Sequence, residues 1–282
     1  MTNSIFSSTA VESNGPRIEG AAGTQRRIAV AQLDVRAGEM SSNLAKIRRT
    51  IREHRSADLL VFPELVLQGH LYSTAPREEI IRAIRHTRSD VNKKMYAYAR
   101  RFECRLIFGE LFQEGERLYN SAAYIDRAGI QRYHKTHVHW TEPFDAGDTL
   151  SVFGQGVDAL GILICFDSAF PEAARALALS GAQTIVVIAA IPRQFPWRYV
   201  LRRLTSIALD NQVFVVFANR AGRDYYGNSI VIDPYGDVVA CAGEEEKVLQ
   251  ATIDLEAVTT WRNIEPLSRH RRPELYTSLT AR

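Results

Sequence analysis

A single α/β domain, with helices covering both faces of its sheets, is predicted by three observations. Short, nearly all-apolar runs alternate with longer segments of helical period, the pattern of strands buried on both sides. Hairpin-type runs with turn residues between them interrupt this alternation and add antiparallel pairing. No linker-like composition and no repeat of fixed period divides the 282-residue chain.

Residues 1–25, MTNSIFSSTAVESNGPRIEGAAGTQ, have no apolar period and read as a mobile tail ahead of a domain at 26–282. IAVAQLDV at 28–35 reads as a strand. SSNLAKIRRTIREH at 41–54 opens with capping-type residues and sets Leu44, Ile47 and Ile51 on one helical face. DLLVF at 58–62 is a second strand, stopped by Pro63-Glu64. A helical stretch at 76–102 leads into RLIFGELF at 105–112, and strands at 119–125 and 131–133 flank a turn at 126–129. After a polar loop at 135–149, a strand at 157–164 runs into Cys165. A helix at 172–179 stops near Gly181, as helix ends prefer. TIVVIA at 184–189 and VFVVFA at 213–218 are buried strands around a helix at 197–211. Short strands at 230–233, 238–241 and 248–253 follow, the first two joined by Pro-Tyr-Gly-Asp. Residues 254–282, polar with apolar punctuation, read as an arm that packs on another surface, such as a second subunit.

Composition narrows the function classes. At 46% hydrophobic and 24% charged the chain is globular. Its net charge of +3 comes from scattered basic residues, with clusters at Arg48-Arg49, Arg202-Arg203 and Arg269 to Arg272 that read as solvated faces. No polybasic run is interleaved with aromatics, which argues against nucleic acid as a partner. No apolar run is long enough for a bilayer, and the N-terminus has no secretory pattern. Cys104, Cys165 and Cys241 form neither a disulfide framework nor a CxxC site, and free thiols suit a reducing, cytoplasmic setting. His134, His137 and His139 lack a further ligand at suitable spacing, so no metal is expected.

Three polar groups stand at the ends of apolar strands: Glu64 after LLVFP, Lys135 after QRYH and Cys165 after GILI. Each has a plain alternative, as a helix cap, a surface charge and a small core filler respectively. Functional groups of α/β sheets gather at the carboxyl ends of strands. An acid, a cation and a thiol there suit nucleophilic attack on a carbonyl or nitrile carbon, with a base, an oxyanion partner and a nucleophile. A thiol beside a cation, or before helix N–H groups, is expected to ionise more readily.

FPEL at 62–65, HKTH at 134–137, and ICFD with FPEAAR within 164–175 resemble the three motifs of the nitrilase superfamily of carbon–nitrogen hydrolases. The likeness continues through ALDNQVFVVFANRAG (208–222), GNSIVIDPYGDVVA (227–240), IDL (253–255) and RRPELY (271–276). It implies a four-layer α-β-β-α sandwich of mixed sheets, assembled as a homodimer or larger homo-oligomer. It implies a triad of Glu64, Lys135 and Cys165, a second glutamate at Glu142, and an oxyanion site between Lys135 and the Phe166 N–H. No cofactor is implied.

Nitrile-cleaving branches tend to follow the nucleophile with Trp-Glu; Phe166-Asp167 here is closer to amidase and carbamoylase branches. The resemblance therefore implies hydrolysis of a small amide or N-carbamoyl substrate through a thioester. The alternatives are nitrile hydrolysis, acyl transfer from the same thioester, and a catalytically silent binding protein, which the intact triad disfavours. Candidate pocket residues are Phe144, Ser168 and Ala169, with Ala190, Arg193 and Trp197 from AAIPRQFPW (189–197). Arg193 suits a substrate carboxylate if it is not simply a surface charge; the aromatic residues are either pocket wall or core.

Overall fold

The computed structural model describes residues 23–70 and 76–280. In chain order the elements are β1 (Gln25–Gln32), α1 (Met40–Glu53), β2 (Leu59–Val61), α2 (Arg77–Phe102), β3 (Arg105–Glu114), β4 (Arg117–Ile125) and β5 (Ile130–His134). They continue with β6 (Val152–Phe153), β7 (Leu160–Ile164), α3 (Pro171–Leu179), β8 (Thr184–Ile188), α4 (Trp197–Asn211) and β9 (Phe214–Ala218). The last are β10 (Ile230–Ile232), β11 (Val238–Cys241), β12 (Lys247–Asp254) and α5 (Glu256–Ile264).

Two six-stranded sheets result, ordered β12-β1-β2-β3-β4-β5 and β11-β10-β9-β8-β7-β6. Each has three parallel strands at its centre, β1-β2-β3 in one and β7-β8-β9 in the other, with antiparallel strands outside. Parallel strands need covered faces, and these have them. The inner faces meet in one core that includes Val30, Val61, Ile107 and Tyr124 from the first sheet and Ile162, Val186 and Val216 from the second. The outer face of the first sheet packs under α1 and α2 through Ile47, Ile51, Met95 and Phe108. That of the second packs under α3 and α4 through Leu163, Leu177, Leu204 and Val215. The architecture is the expected α-β-β-α sandwich, with helix layers outside and two mixed sheets within.

Several boundaries differ from the sequence expectation. Residues 1–22 of the expected tail lie outside the described residues, and β1 already includes Gln25. The apolar run at 157–164 divides into a 3-10 turn, Gly156–Asp158, and β7, because Asp158 turns to pair with Arg26 and Arg105. The arm at 254–282 begins not as an arm but as α5, which packs on its own chain. Val258 enters the central core, the Trp261 ring packs at a tilt on Tyr235 with centroids 4.7 Å apart, and the Arg262 guanidinium donates to the Ala182 carbonyl. Only the turns after it, with Leu275 and Leu279 exposed, keep the character of an arm.

Candidate active site

The expected acid, cation and thiol lie just past the carboxyl ends of β2, β5 and β7. Glu64 stands on a turn held along β3: the Phe62 N–H donates to the Ile107 carbonyl, the Gly109 N–H to Pro63, and the Leu111 N–H to Gln68 Oε1. A Cβ on Gly109 would come within 2.3 Å of Leu65 N and 2.7 Å of Glu64 Cα, which explains the glycine inside RLIFGELF. Leu65 follows at φ 47°, and Cys165 itself has φ 47°; neither is glycine. Such left-handed residues cost about 1–3 kcal/mol each and persist where surrounding structure imposes them. Both strained residues therefore sit on turns that present candidate groups.

Lys135 is the electrostatic centre. Its ammonium donates to Glu142 Oε1 and Oε2, both at 2.8 Å, and to Glu64 Oε1 at 3.3 Å. Exposure is 1% for Lys135, 0% for Glu64 and 8% for Glu142, so these charges interact with little water between them. Asn120 orders the same group: its Nδ2 donates to Glu64 Oε1 at 2.7 Å while its carbonyl accepts from the Lys135 N–H. Glu64 Oε2 is buried and makes no hydrogen bond among the described residues. One oxygen of the carboxylate is thus committed, and the other stands free for a proton.

The charge states follow from burial and neighbours. Burial pushes the Glu64 carboxyl up, but the Lys135 charge and the Asn120 hydrogen bond more than reverse this and hold it below its ordinary range. Burial would lower the Lys135 ammonium, yet the surrounding negative groups raise it, so it stays protonated. Glu142 is pushed up, by burial and then by the Glu64 charge, against the attraction of Lys135. The Cys165 thiol is raised, first by burial and then by Glu64, which together outweigh Lys135 and an N–H bond from Ala190. This corrects the expectation of a lowered thiol: two carboxylates share the one ammonium, and the sulfur meets net negative surroundings. Cys165 therefore rests as a thiol near an ionised Glu64 carboxylate.

The other expected residues divide. Ala190 lies near the sulfur, where its N–H favours the thiolate. Phe144 packs against a cluster with Leu65, Ile80 and Leu111, directly behind the Glu64 turn. Ser168 and Ala169 do not face this centre: the Ser168 hydroxyl donates to the Cys165 carbonyl at 2.7 Å, and both residues line a separate cleft with Arg175, Arg203 and Tyr276. Arg193 is not free for a carboxylate, because Glu244 holds it at 2.7 Å over the Tyr226 ring. Trp197 packs toward Phe217 in the helix-covered core, as a wall of α4 rather than of the site. Phe166 joins an aromatic ledge in which its ring meets Phe170, His139 and Trp140 edge-on. The neighbouring histidines take separate partners, His134 with Ser121, His137 with Asp167 and His139 with Thr141.

Two groups were missed by sequence reasoning. His70 lies with a ring nitrogen within 4.8 Å of carboxylate oxygens of both Glu64 and Glu142. Burial lowers its pKa, keeping it neutral near pH 7. These three side chains have ligand-type atoms close enough for a metal ion, but the Lys135 ammonium already supplies the cation they surround. Asp167 is wholly buried behind the nucleophile turn. Its signal was an acid in the mostly apolar CFDSAF, and that of His70 was a polar residue just past Gly69 in ELVLQGH.

A family model described as carbon–nitrogen hydrolase matches residues 27–263. A nitrilase of Pyrococcus abyssi is 33% identical over 264 residues, covering 89% of this chain and 98% of that protein. An N-carbamoylputrescine amidase of Solanum tuberosum is 32% identical over 273 residues, covering 84% of this chain and 89% of that one. In structure, a carbon–nitrogen hydrolase of Helicobacter pylori superposes with a TM-score of 0.83 at 22% identity, covering 92% of this chain and 99% of that one, a likeness of fold. The match across nearly all the described elements makes this chain a member of the carbon–nitrogen hydrolase family, in the amidase-like part of the nitrilase superfamily, whose enzymes cleave C–N bonds other than peptide bonds.

Proposed function

We propose that the chain hydrolyses a small amide or N-carbamoyl compound through a thioester on Cys165, with Glu64 as base, Lys135 as electrophile and Glu142 steadying Lys135. The observation that carries this is the divided Glu64 carboxylate: Oε1 is fixed by Asn120 and Lys135, while Oε2 lies buried and uncommitted. A raised thiol beside a depressed carboxylate needs its proton removed as attack proceeds, not beforehand.

In the first half-reaction Glu64 takes the thiol proton as sulfur bonds to the carbonyl carbon. The oxygen that gains charge meets the Lys135 ammonium and the Phe166 N–H, which lies in the first turn of the 3-10 segment Cys165–Ala169. Collapse breaks the C–N bond, and Glu64 passes its proton to the departing nitrogen, leaving a thioester. Water then attacks that carbon and gives a proton to Glu64. The second collapse breaks the C–S bond, the proton returns to sulfur, and the acid leaves.

Phe166-Asp167 after the nucleophile supports an amide over a nitrile, as does the N-carbamoylputrescine amidase among the relatives. The test is a panel of aliphatic amides, N-carbamoyl amines and nitriles assayed for ammonia, with Cys165→Ala as blank. Ammonia from amides or carbamoyl compounds, and a mass increase on Cys165 equal to the acyl group, are expected. Turnover of nitriles alone, or full activity without the sulfur, would overturn the proposal.

A further inference from the structure

One carboxylate lies between the turn that carries the sulfur and the loop that carries the ammonium, and no step of the proposed reaction uses it. Asp167 is 0% exposed, and five groups converge on it. Its Oδ2 accepts from the Tyr133 hydroxyl at 2.8 Å and from the Ile164 N–H at 2.9 Å. Its Oδ1 accepts from the His137 N–H at 2.7 Å and the Thr136 hydroxyl at 3.0 Å, and meets His137 Nδ1 at 3.0 Å.

The origin of these groups is informative. Ile164 ends β7 and directly precedes Cys165, whereas Tyr133, Thr136 and His137 bracket Lys135 on the other sheet. Sulfur and ammonium belong to different sheets, and their approach depends on how the two turns are tied. A buried carboxylate is well suited, because hydrogen bonds to a charged acceptor are about twice as strong as neutral ones. It accepts at both oxygens, which no neutral side chain of the same size can do. The left-handed backbone of Cys165 needs such a hold, and the Ile164 N–H bond supplies it one residue upstream.

We propose that Asp167 is a positioning residue whose carboxylate locks the lysine loop to the nucleophile turn and so sets the sulfur–ammonium geometry. This rests on Cys165 as nucleophile and Lys135 as its electrostatic partner. Asp167→Asn keeps the shape but turns an amide N–H₂ toward groups that themselves donate, so the two turns part without a cavity being made.

The experiment compares Asp167→Asn, Thr136→Val and His137→Phe with Asp158→Asn, whose ion pairs tie the sheets at the far end of β7. Each variant is read for kcat, KM, melting temperature, and the pH profile of Cys165 alkylation by iodoacetamide in a Cys104→Ala, Cys241→Ala background. Asp167→Asn is expected to lose about a hundredfold in kcat, the scale of an ångström-sized misplacement. KM should stay within about threefold, and the alkylation inflection should move to higher pH as Lys135 draws away. Thr136→Val and His137→Phe should each lose about tenfold with little change in melting temperature. Asp158→Asn should lose melting temperature and keep kcat. A folded Asp167→Asn protein with parental kcat and alkylation profile would overturn the proposal. If that variant does not fold, parental kcat in both single-donor variants would overturn it, and reduced kcat at parental melting temperature would support it. Should neither amides nor N-carbamoyl compounds yield ammonia even in the parent, the proposed function fails while the alkylation profiles still decide on Asp167.

Discussion

The two ends of β7 are each tied to the opposite sheet by an aspartate, and the ties are built differently. At the start of the strand Asp158 pairs with Arg26 of β1 at 2.7 Å and with Arg105 of β3 at 2.9 Å, with a third of its side chain in solvent. At the other end Asp167 is sealed from water and takes hydroxyl and backbone donors together with the His137 ring, with no arginine in its hydrogen bonds. An arginine pair at the rim tolerates small displacements, since long side chains follow one another. A short carboxylate holding backbone N–H groups does not. One end is built to hold the sandwich together and the other to hold atoms at fixed separations, and only the second adjoins the thiol.

The comparison breaks most plainly if activity does not reside at the Asp167 end. Cys165→Ala should abolish ammonia release with the melting temperature nearly unchanged, because the sulfur fills little volume. Glu64→Gln should lose about 10²–10⁴-fold in kcat, the usual worth of a general base. Residual turnover in Glu64→Gln near the parental rate would move the base elsewhere, with His70 as the next group to test.

Gly109→Ala probes the same end through the backbone. The added methyl would press on Leu65 N at 2.3 Å and Glu64 Cα at 2.7 Å, so the Glu64 turn must shift. Overpacking of this kind costs about 1–3 kcal/mol, and here the displaced atoms carry the Glu64 carboxylate. Urea denaturation and kcat should both fall; a loss of stability at parental kcat would show that the turn yields without moving the carboxylate.

How much of this was legible depends on which interaction selects the residue. Glu64 and Cys165 were visible because each follows an apolar strand at its carboxyl end, where a polar group needs a reason; Lys135, after the mostly polar β5, was visible through its HKTH motif. The layers were visible because strands such as β8 and β9 are apolar on both faces. The two-residue β6 was not, being shorter than any period, and α5 was hidden by a polar face that covers few buried side chains. Ser168 and Arg193 were misplaced for a further reason: closeness in sequence to the nucleophile, or a fitting charge, says nothing about which partner takes the side chain first. Arg193 went to Glu244 and Ser168 to the carbonyl of its own turn. The sign of the thiol shift was likewise out of reach, because it depends first on how deeply the sulfur is buried and then on two carboxylates competing for one ammonium.

That sign can be measured. Alkylation of Cys165 against pH should inflect above the ordinary thiol value of about 8.5. Burial and Glu64 raise it and Lys135 lowers it, so Glu64→Gln should bring the inflection down and Lys135→Met should move it up. Shifts in the opposite senses would mean that the sulfur answers to other charges.

The smallest effect is expected at the start of β7. Burial pushes the Asp158 carboxyl up, and the Arg26 hydrogen bond with the Arg105 charge more than reverses this, holding it below its ordinary value of 3.8. A depressed carboxyl stabilises the fold at every pH above its unfolded value, and loses that contribution as pH falls through the folded one. Asp158→Asn should therefore cost about 1 kcal/mol at pH 7, the upper range for a partly exposed pair. The difference from the parent should shrink as pH drops below about 4, where the unfolded carboxyl begins to protonate. Urea denaturation of both proteins at pH 7, 4 and 3 measures this, with kcat recorded beside it. A gap that stayed constant with pH would assign the loss to packing and not to charge. A fall in kcat would erase the distinction between the two ends, since the rim tie would then also be setting the geometry around the sulfur.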